Sequence, residues 1–215
     1  MKIKWFGHSC FLLTSAAGFK LLMDPFKPES YLSYPRVLTD AAIVTVSHEH
    51  NDHNYLDDIA GKPEVLRGSL AKQIDGIHIK GLSAFHDDAR GKERGINTIF
   101  CVTMDDINIC HLGDLGHVLT AAEISLIGKV DLLLIPVGGV FTIGIDEAAK
   151  LGGAIRPRIT IPMHYKTEKC QFLQWSSGDF IQGKKNVRET GSSEIEINLA
   201  DMPAEPEIVV LKYPG

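Results

Sequence analysis

Residues 48–53 read His-Glu-His-Asn-Asp-His and follow directly on the β-type run of residues 42–46. No other feature of the chain constrains it as strongly. At this chain's own composition, the pattern H-x-H-x-D-H arises by chance in roughly one chain per thousand of this length. His48 and His50 are two positions apart in a segment leaving a strand, so both side chains can point to one side. Asp52 and His53 are adjacent, cannot share that direction, and would reach a neighbouring position. One short segment can therefore feed two metal ions about 3.5–4 Å apart, the spacing of two-metal hydrolytic sites.

Two ions need more than four ligands, and the chain offers further donors where β-runs end. His86 follows the run at 77–82, Asp114 follows 107–111, and His164 follows 158–163. Imidazole and carboxylate suit zinc, and also manganese or iron, so ligand type alone does not choose between them. An aspartate between two dications can give one oxygen to each, and a water bridging them would lose a proton near neutral pH. The cysteines (Cys10, Cys101, Cys110 and Cys170) are scattered without a C-x-x-C pair, which points to no thiolate zinc site and no disulfide framework.

The rest of the chain reads as one α/β domain over residues 1–215. Its length of 215 residues matches one domain, and 44% apolar with 23% charged residues is ordinary globular composition. A net charge of −5 argues against broad nucleic-acid binding. The longest uncharged stretch, residues 132–145, is interrupted by Pro136 and glycines and is too short to span a bilayer, which takes ~20 apolar residues. No export signal is visible at the start, so the expected location is cytoplasmic. Strands are expected at 2–6, 10–14, 19–23 and 42–46, the second and third joined by Ser15-Ala16-Ala17-Gly18 as a hairpin. A second hairpin is expected from 96–104 to 107–111 across Asp105-Asp106, and buried strands at 131–137 and 158–163. Helices are expected at 120–127, with Thr120 and Glu123 forming a capping box, and at 146–155. Residues after His164 turn polar until about 193, and two terminal strand-like runs follow at 194–198 and 208–213.

At these residues the chain resembles the metallo-β-lactamase superfamily over residues 1–165. The match carries Asp24 in Leu22-Met23-Asp24-Pro25, the 48–53 motif, His86, Asp114 and His164, in the family's order. The resemblance implies an αββα sandwich of two mixed β-sheets with helices on the outer faces and a binuclear site at one edge. It implies His48, His50 and His86 on one ion, Asp52, His53 and His164 on the other, and Asp114 bridging. Asp24 matches a carboxylate that orients a ligand histidine rather than binding metal. Trp5-Phe6-Gly7-His8-Ser9, Ala84-Phe85-His86-Asp87, Pro136-Val137-Gly138-Gly139 and Ile161-Pro162-Met163-His164-Tyr165 are similar to a branch of small metal-dependent hydrolases. That branch is related to L-ascorbate-6-phosphate lactonase and N-acylphosphatidylethanolamine phospholipase D. Only 49 residues separate Asp114 from His164, which leaves no room for the inserted domain of nucleic-acid-cleaving members.

The expected function is a hydrolase in which two divalent ions, zinc first and manganese or iron next, activate a bridging hydroxide. The substrate is a small molecule, either a cyclic ester (lactone) or a phosphodiester. Asp52 or Asp114 is expected to accept the proton, and His117, just past Asp114, is a candidate donor to the leaving group. The alternative is a metal-holding scaffold or regulatory protein without turnover. Partners are limited to the substrate and, in a homo-oligomer, further copies of the chain. His111 is expected to make a hydrogen bond inside its strand, and His8 to pack. The segment 27–38 falls where the family carries a flap over the site.

Overall fold

The computed structural model describes residues 1–214. In chain order the elements begin with β1 (Lys2–Gly7), β2 (Cys10–Thr14), β3 (Lys20–Met23), β4 (Thr39–Asp40) and β5 (Ile43–Val46). Next come β6 (Ile59–Ala60), β7 (Glu64–Arg67), β8 (Leu70–Ile74), β9 (Ile77–Phe85), β10 (Ile96–Met104) and β11 (Ile107–His111). Helix α1 (Ala121–Ile127), β12 (Leu132–Pro136), α2 (Ile145–Ile155), β13 (Ile159–Met163) and α3 (Ser177–Ile181) follow, then β14 (Val187–Glu189), β15 (Glu194–Glu196) and β16 (Glu207–Val210). A six-stranded sheet runs in the order β15-β1-β2-β3-β5-β7, and an eight-stranded one in the order β14-β16-β13-β12-β11-β10-β9-β8. The chain's last strands close both sheets: β15 pairs with β1, and β16 lies between β13 and β14.

The two sheets pack face to face, and strand periodicity divides the first sheet's side chains between two cores. Phe11 and Leu13 of β2, Leu21 and Met23 of β3, and Ile43 of β5 join the cluster shared with the second sheet. Their alternating neighbours Cys10, Leu12, Leu22, Val44 and Val46 face outward into a second cluster with Phe26, Leu32, Tyr34, Val37, Ile59, Cys170 and Leu173. Coil from residues 25–38 and 165–175 thus covers the first sheet's outer face. The helical covering lies on the second sheet, where α2 and α3 pack against β12 and β13. Residues Leu132–Ile135 of β12 are wholly buried, as a parallel strand covered on both faces requires. Thr120 and Glu123 form the expected capping box on α1. Among the described residues no helix is long and apolar enough to cross a membrane.

Strands β7 and β8 carry no clear sequence signal, because each buries only part of one face and alternates it with Glu64, Arg67, Lys72 and Gln73. Helix α3 and β14 likewise lie inside the polar 165–193 stretch that reads as loop.

Strand direction positions the site. In the first sheet β1 is antiparallel to β2 and β2 to β3, so β1 and β3 run the same way, and β5 runs parallel to β3. In the second, β9 and β11 are both antiparallel to β10, and β12 and β13 run parallel to β11. The turns after β1, β3 and β5 therefore leave one edge of the first sheet, and those after β9, β11 and β13 leave one edge of the second. Main-chain bonds sew the first sheet's turns to the second sheet: Thr98 N–H of β10 donates to Ser47 O at 2.8 Å, and His164 N–H donates to His8 O at 3.1 Å.

Candidate metal centre

Every donor expected from the sequence arrives at this seam. The turns of the first sheet bring Asp24 after β3 and His48, His50, Asp52 and His53 after β5. The turns of the second bring His86 after β9, Asp114 after β11 and His164 after β13. Asp114 is the hub. Its Oδ1 lies 3.3 Å from His53 Nε2, and its Oδ2 lies 3.2 Å from His164 Nε2, 3.5 Å from His86 Nε2 and 3.9 Å from His48 Nε2. Two donors that share an ion at about 2.1 Å in tetrahedral geometry stand about 3.4 Å apart. His48, His50 and His86 form one group whose donor atoms all lie within 4.8 Å of one another, and Asp52, His53 and His164, joined by His8, form a second.

The Asp114 turn is shaped by close approach. Gly113 has φ +56° and passes so near the neighbouring turn that a Cβ would sit 2.3 Å from Asn97 Oδ1 and 2.7 Å from Ser47 Cβ. Asn97 Oδ1 in turn accepts the Asp114 N–H at 2.9 Å. Three residues of the centre, His8 (φ 52°), Asp24 (φ 46°) and His164 (φ 48°), adopt positive φ without being glycine. Such conformations cost on the order of 1–3 kcal/mol and collect at functional sites.

One buried carboxylate orients two histidines. Asp24 Oδ2 accepts from His53 Nδ1 at 2.8 Å and from Ser47 Oγ at 2.5 Å, while Oδ1 accepts from Ser47 N–H at 2.8 Å. The Ser47 hydroxyl donates to Asp24, so its contact with His48 Nδ1 at 2.9 Å makes that nitrogen the donor. Both imidazoles therefore carry their proton on Nδ1 and aim an Nε2 lone pair at the cluster, an assignment made from the network. His48 Nε2, His53 Nε2 and Asp114 Oδ1 are buried and have no hydrogen-bond partner. Buried polar atoms are nearly always paired, and a cation among these acceptors satisfies all three.

The electrostatics ask for the same thing. Burial pushes the His48 imidazole down to about 3, with the nearby His53 adding to it, so His48 is neutral. Burial opposes ionisation of Asp52 and Asp114, but His53 beside both, with His8 on Asp52 and His164 on Asp114, holds each carboxyl well below the usual range. Burial would lower His53 as well, yet Asp114 and Asp52 raise it well above the ordinary value. Without a cation the ring therefore takes a proton on the same Nε2 that would otherwise face the ion. Asp24, Asp52 and Asp114 thus place three carboxylates in one enclosed space, where positive charge is required.

The centre floors a cavity of about 320 Å³ in which His50, Asp52, His86, Asp114 and His164 meet a wall of Tyr31, Phe141, Phe172 and Arg94. The Arg94 guanidinium lies 4.1 Å over the Phe141 ring. Its loop is stiffened by the Asp87 carboxylate, which accepts the N–H groups of Ala89, Gly91, Glu93 and Arg94. Of the expected flap, Tyr31 reaches the cavity, whereas Tyr34 is buried in the core on the first sheet's outer face. A larger hollow beside Lys72, Lys80 and Lys129 gathers none of these ligands.

His117 lies outside these donor groups. Its Nε2 accepts the Phe85 N–H at 3.2 Å, its Nδ1 lies 3.2 Å from Val118 O, and it is absent from the cavity wall. With both ring nitrogens engaged by main chain, it is not positioned as a proton donor. His111 has the expected structural place: Nε2 donates to Ser9 O at 2.9 Å and Nδ1 accepts from Gly113 N–H at 3.1 Å. Sequence reading missed Ser47, Asn97 and Arg94 and treated His8 as packing. Position beside the motif could have flagged Ser47, but His8, Asn97 and Arg94 reach the site only through tertiary contacts.

The chain is similar to known proteins in both sequence and fold. The β-lactamase superfamily domain matches residues 2–164. A UPF0173 metal-dependent hydrolase of Pyrococcus horikoshii is 32% identical over 196 residues, covering 78% of this chain and 85% of its own. A crystal structure from Thermotoga maritima, assigned as a Zn-dependent hydrolase of the metallo-β-lactamase superfamily, superposes with a TM-score of 0.83 at 36% identity and 99% coverage of each chain. The fold alone is shared with Igni18, a metallo hydrolase of Ignicoccus hospitalis, at a TM-score of 0.65 and 21% identity over 100% of this chain and 95% of that one.

Proposed function

Because this chain belongs to the metallo-β-lactamase superfamily and to its metal-dependent hydrolases, we propose that it hydrolyses a small, negatively charged ester at a centre of two divalent ions. In this reading His48, His50 and His86 hold one ion, Asp52, His53 and His164 hold the other, and Asp114 lies between them. The observation that carries it is the pair of donor groups meeting at Asp114 on the floor of an open cavity. Imidazole nitrogens and carboxylates suit zinc. Bound there, such a pair supplies Lewis acidity toward a substrate oxygen and acidifies water to near neutral pH.

The chain's own groups do the rest. Asp24 and Ser47 lock His53 and His48 in the tautomer that presents Nε2. Asp114 is enclosed by imidazoles, whereas the Asp52 side chain is 20% exposed and lines the cavity. Asp52 is thus the carboxylate placed to take the proton lost by an attacking water, on whichever oxygen it does not give to the ion. Solvent water supplies the leaving group's proton, since His117 is occupied elsewhere. Tyr31, Phe141 and Phe172 shield the reacting group, and Arg94 adds a positive charge for a carboxylate or phosphate on the substrate. Phosphorylated or carboxylated lactones and small phosphodiesters both meet these demands.

The test is a panel of neutral and anionic lactones with bis(p-nitrophenyl) phosphate, run on protein of measured metal content. Turnover of an anionic member, lost in Asp52→Asn, supports the reading. Arg94→Ala should raise KM about tenfold or more for anionic members, one charge-assisted contact being worth ~1.5–3 kcal/mol, and leave neutral ones unchanged. Two bound ions with no hydrolysis of any member would favour the scaffold alternative.

A further inference from the structure

We propose that His8 is a metal ligand, joining Asp52, His53 and His164 on their ion in addition to the Asp114 shared with the other, and that this site consequently fills before the His48/His50/His86 site. The inference rests on the two-ion reading above and adds to it a residue and an order of loading.

The contrast between two buried histidines carries the argument. His111 is fully buried and shows what a structural histidine looks like, each ring nitrogen having a main-chain partner. His8 is 1% exposed, and neither of its ring nitrogens has a hydrogen-bond partner. A buried imidazole left this way costs about 1–3 kcal/mol for each unpaired group. Its position is nevertheless tightly specified. The His8 carbonyl accepts from Trp5 Nε1 at 3.0 Å and from His164 N–H at 3.1 Å, and the residue is held at φ 52°. The chain thus bends its backbone to hold an unpaired imidazole in one place.

That place is inside the second donor group. His8 Nε2 lies 3.3 Å from Asp52 Oδ2, the separation of two donors on one ion. Its ring centroid is 4.1 Å from that of His164 and 5.1 Å from that of His53. His8, Asp52, His53 and His164 form a single group with donor atoms within 4.8 Å of one another. The opposite group has only three members, and one of them, His50, is exposed. More ligands and deeper enclosure give the His8 side the higher affinity.

Zinc is titrated into chelator-stripped wild-type, His8→Ala, His8→Asn and His50→Ala protein against a competing zinc indicator. Two steps are expected for the wild type. His8→Ala should weaken the tighter step at least about 100-fold, above the 10–100-fold typical of residues that only orient a ligand, while His50→Ala weakens the other step alone. His8→Asn keeps a side-chain N–H for Asp52 but removes the imidazole, so it should behave like His8→Ala. It also carries the test if His8→Ala fails to fold. His8→Ala should also gain less thermal stability from zinc than the wild type does. Wild-type affinity in His8→Asn would mean that His8 only positions Asp52, and would overturn the proposal while leaving two ions intact. Loss confined to the weaker step would overturn it too. Failure of the wild type to take up two ions would bring down the two-ion reading and this inference together.

Discussion

Asp24 touches nothing in the cavity, yet its carboxylate receives His53 Nδ1, Ser47 Oγ and Ser47 N–H and, through Ser47, sets the orientation of His48. An amide cannot replace it, because its NH2 must face either the Ser47 N–H, donor against donor, or Ser47 Oγ and His53 Nδ1, where it displaces the proton His53 donates. Asp24→Asn is expected to lower metal affinity 10–100-fold on both sides of the centre, a loss of the size seen when such supporting groups are removed. Ser47→Ala breaks only the His48 branch and should weaken one side alone; stepwise zinc competition distinguishes the two. Asp24, the 48–53 motif, His86, Asp114 and His164 were legible because each is a chemically distinctive residue at the end of an apolar run. Arg94 was not, since an exposed arginine in a loop carries no local mark until Phe141 comes to lie beneath it.

Among elements, those with an internal pattern were readable and those defined by their neighbours were not. Helix α1 announces itself through Thr120 and Glu123, and Thr120→Ala should cost about 1 kcal/mol by chemical denaturation, with metal content unchanged. Glu123 adds a pH signature. The Thr120 N–H and hydroxyl bond its carboxylate and hold it below the ordinary glutamate range. A depressed folded-state value stabilises above the unfolded value of about 4.3 and is lost as the pH falls through the folded one. The stability advantage of wild type over Glu123→Ala should therefore be present at about pH 7 and shrink toward about pH 3, which denaturation at the two pH values checks. Edge strands β7 and β8 lack such internal marks, being half-exposed and held by β5 and β9.

At the scale of the molecule, the two sheets supply opposite halves of one anionic cavity, so ions bound there link them. Chelation should lower the melting temperature without altering the cores, and zinc at about 100-fold its Kd should restore ~2.7 kcal/mol per site, about 5–10 °C for a chain of this size. Calorimetry with and without chelator measures this, and His48→Ala should keep only part of the gain. The sequence by itself determined which residue types can hold ions, that they stand at strand ends, and that apolar runs such as 132–135 must be buried, because ligand chemistry and hydrophobic periodicity are local properties. It also carried the resemblance from which the sandwich could be expected. Only the tertiary structure decided which turns meet. His8 and His164 are 156 positions apart in the chain, yet share a main-chain hydrogen bond. Asp114 reaches four imidazoles from both sheets, and His117, three residues further on, turns back to the main chain. Those outcomes depend on strand direction and on packing between distant segments, which no local stretch of the chain encodes alone.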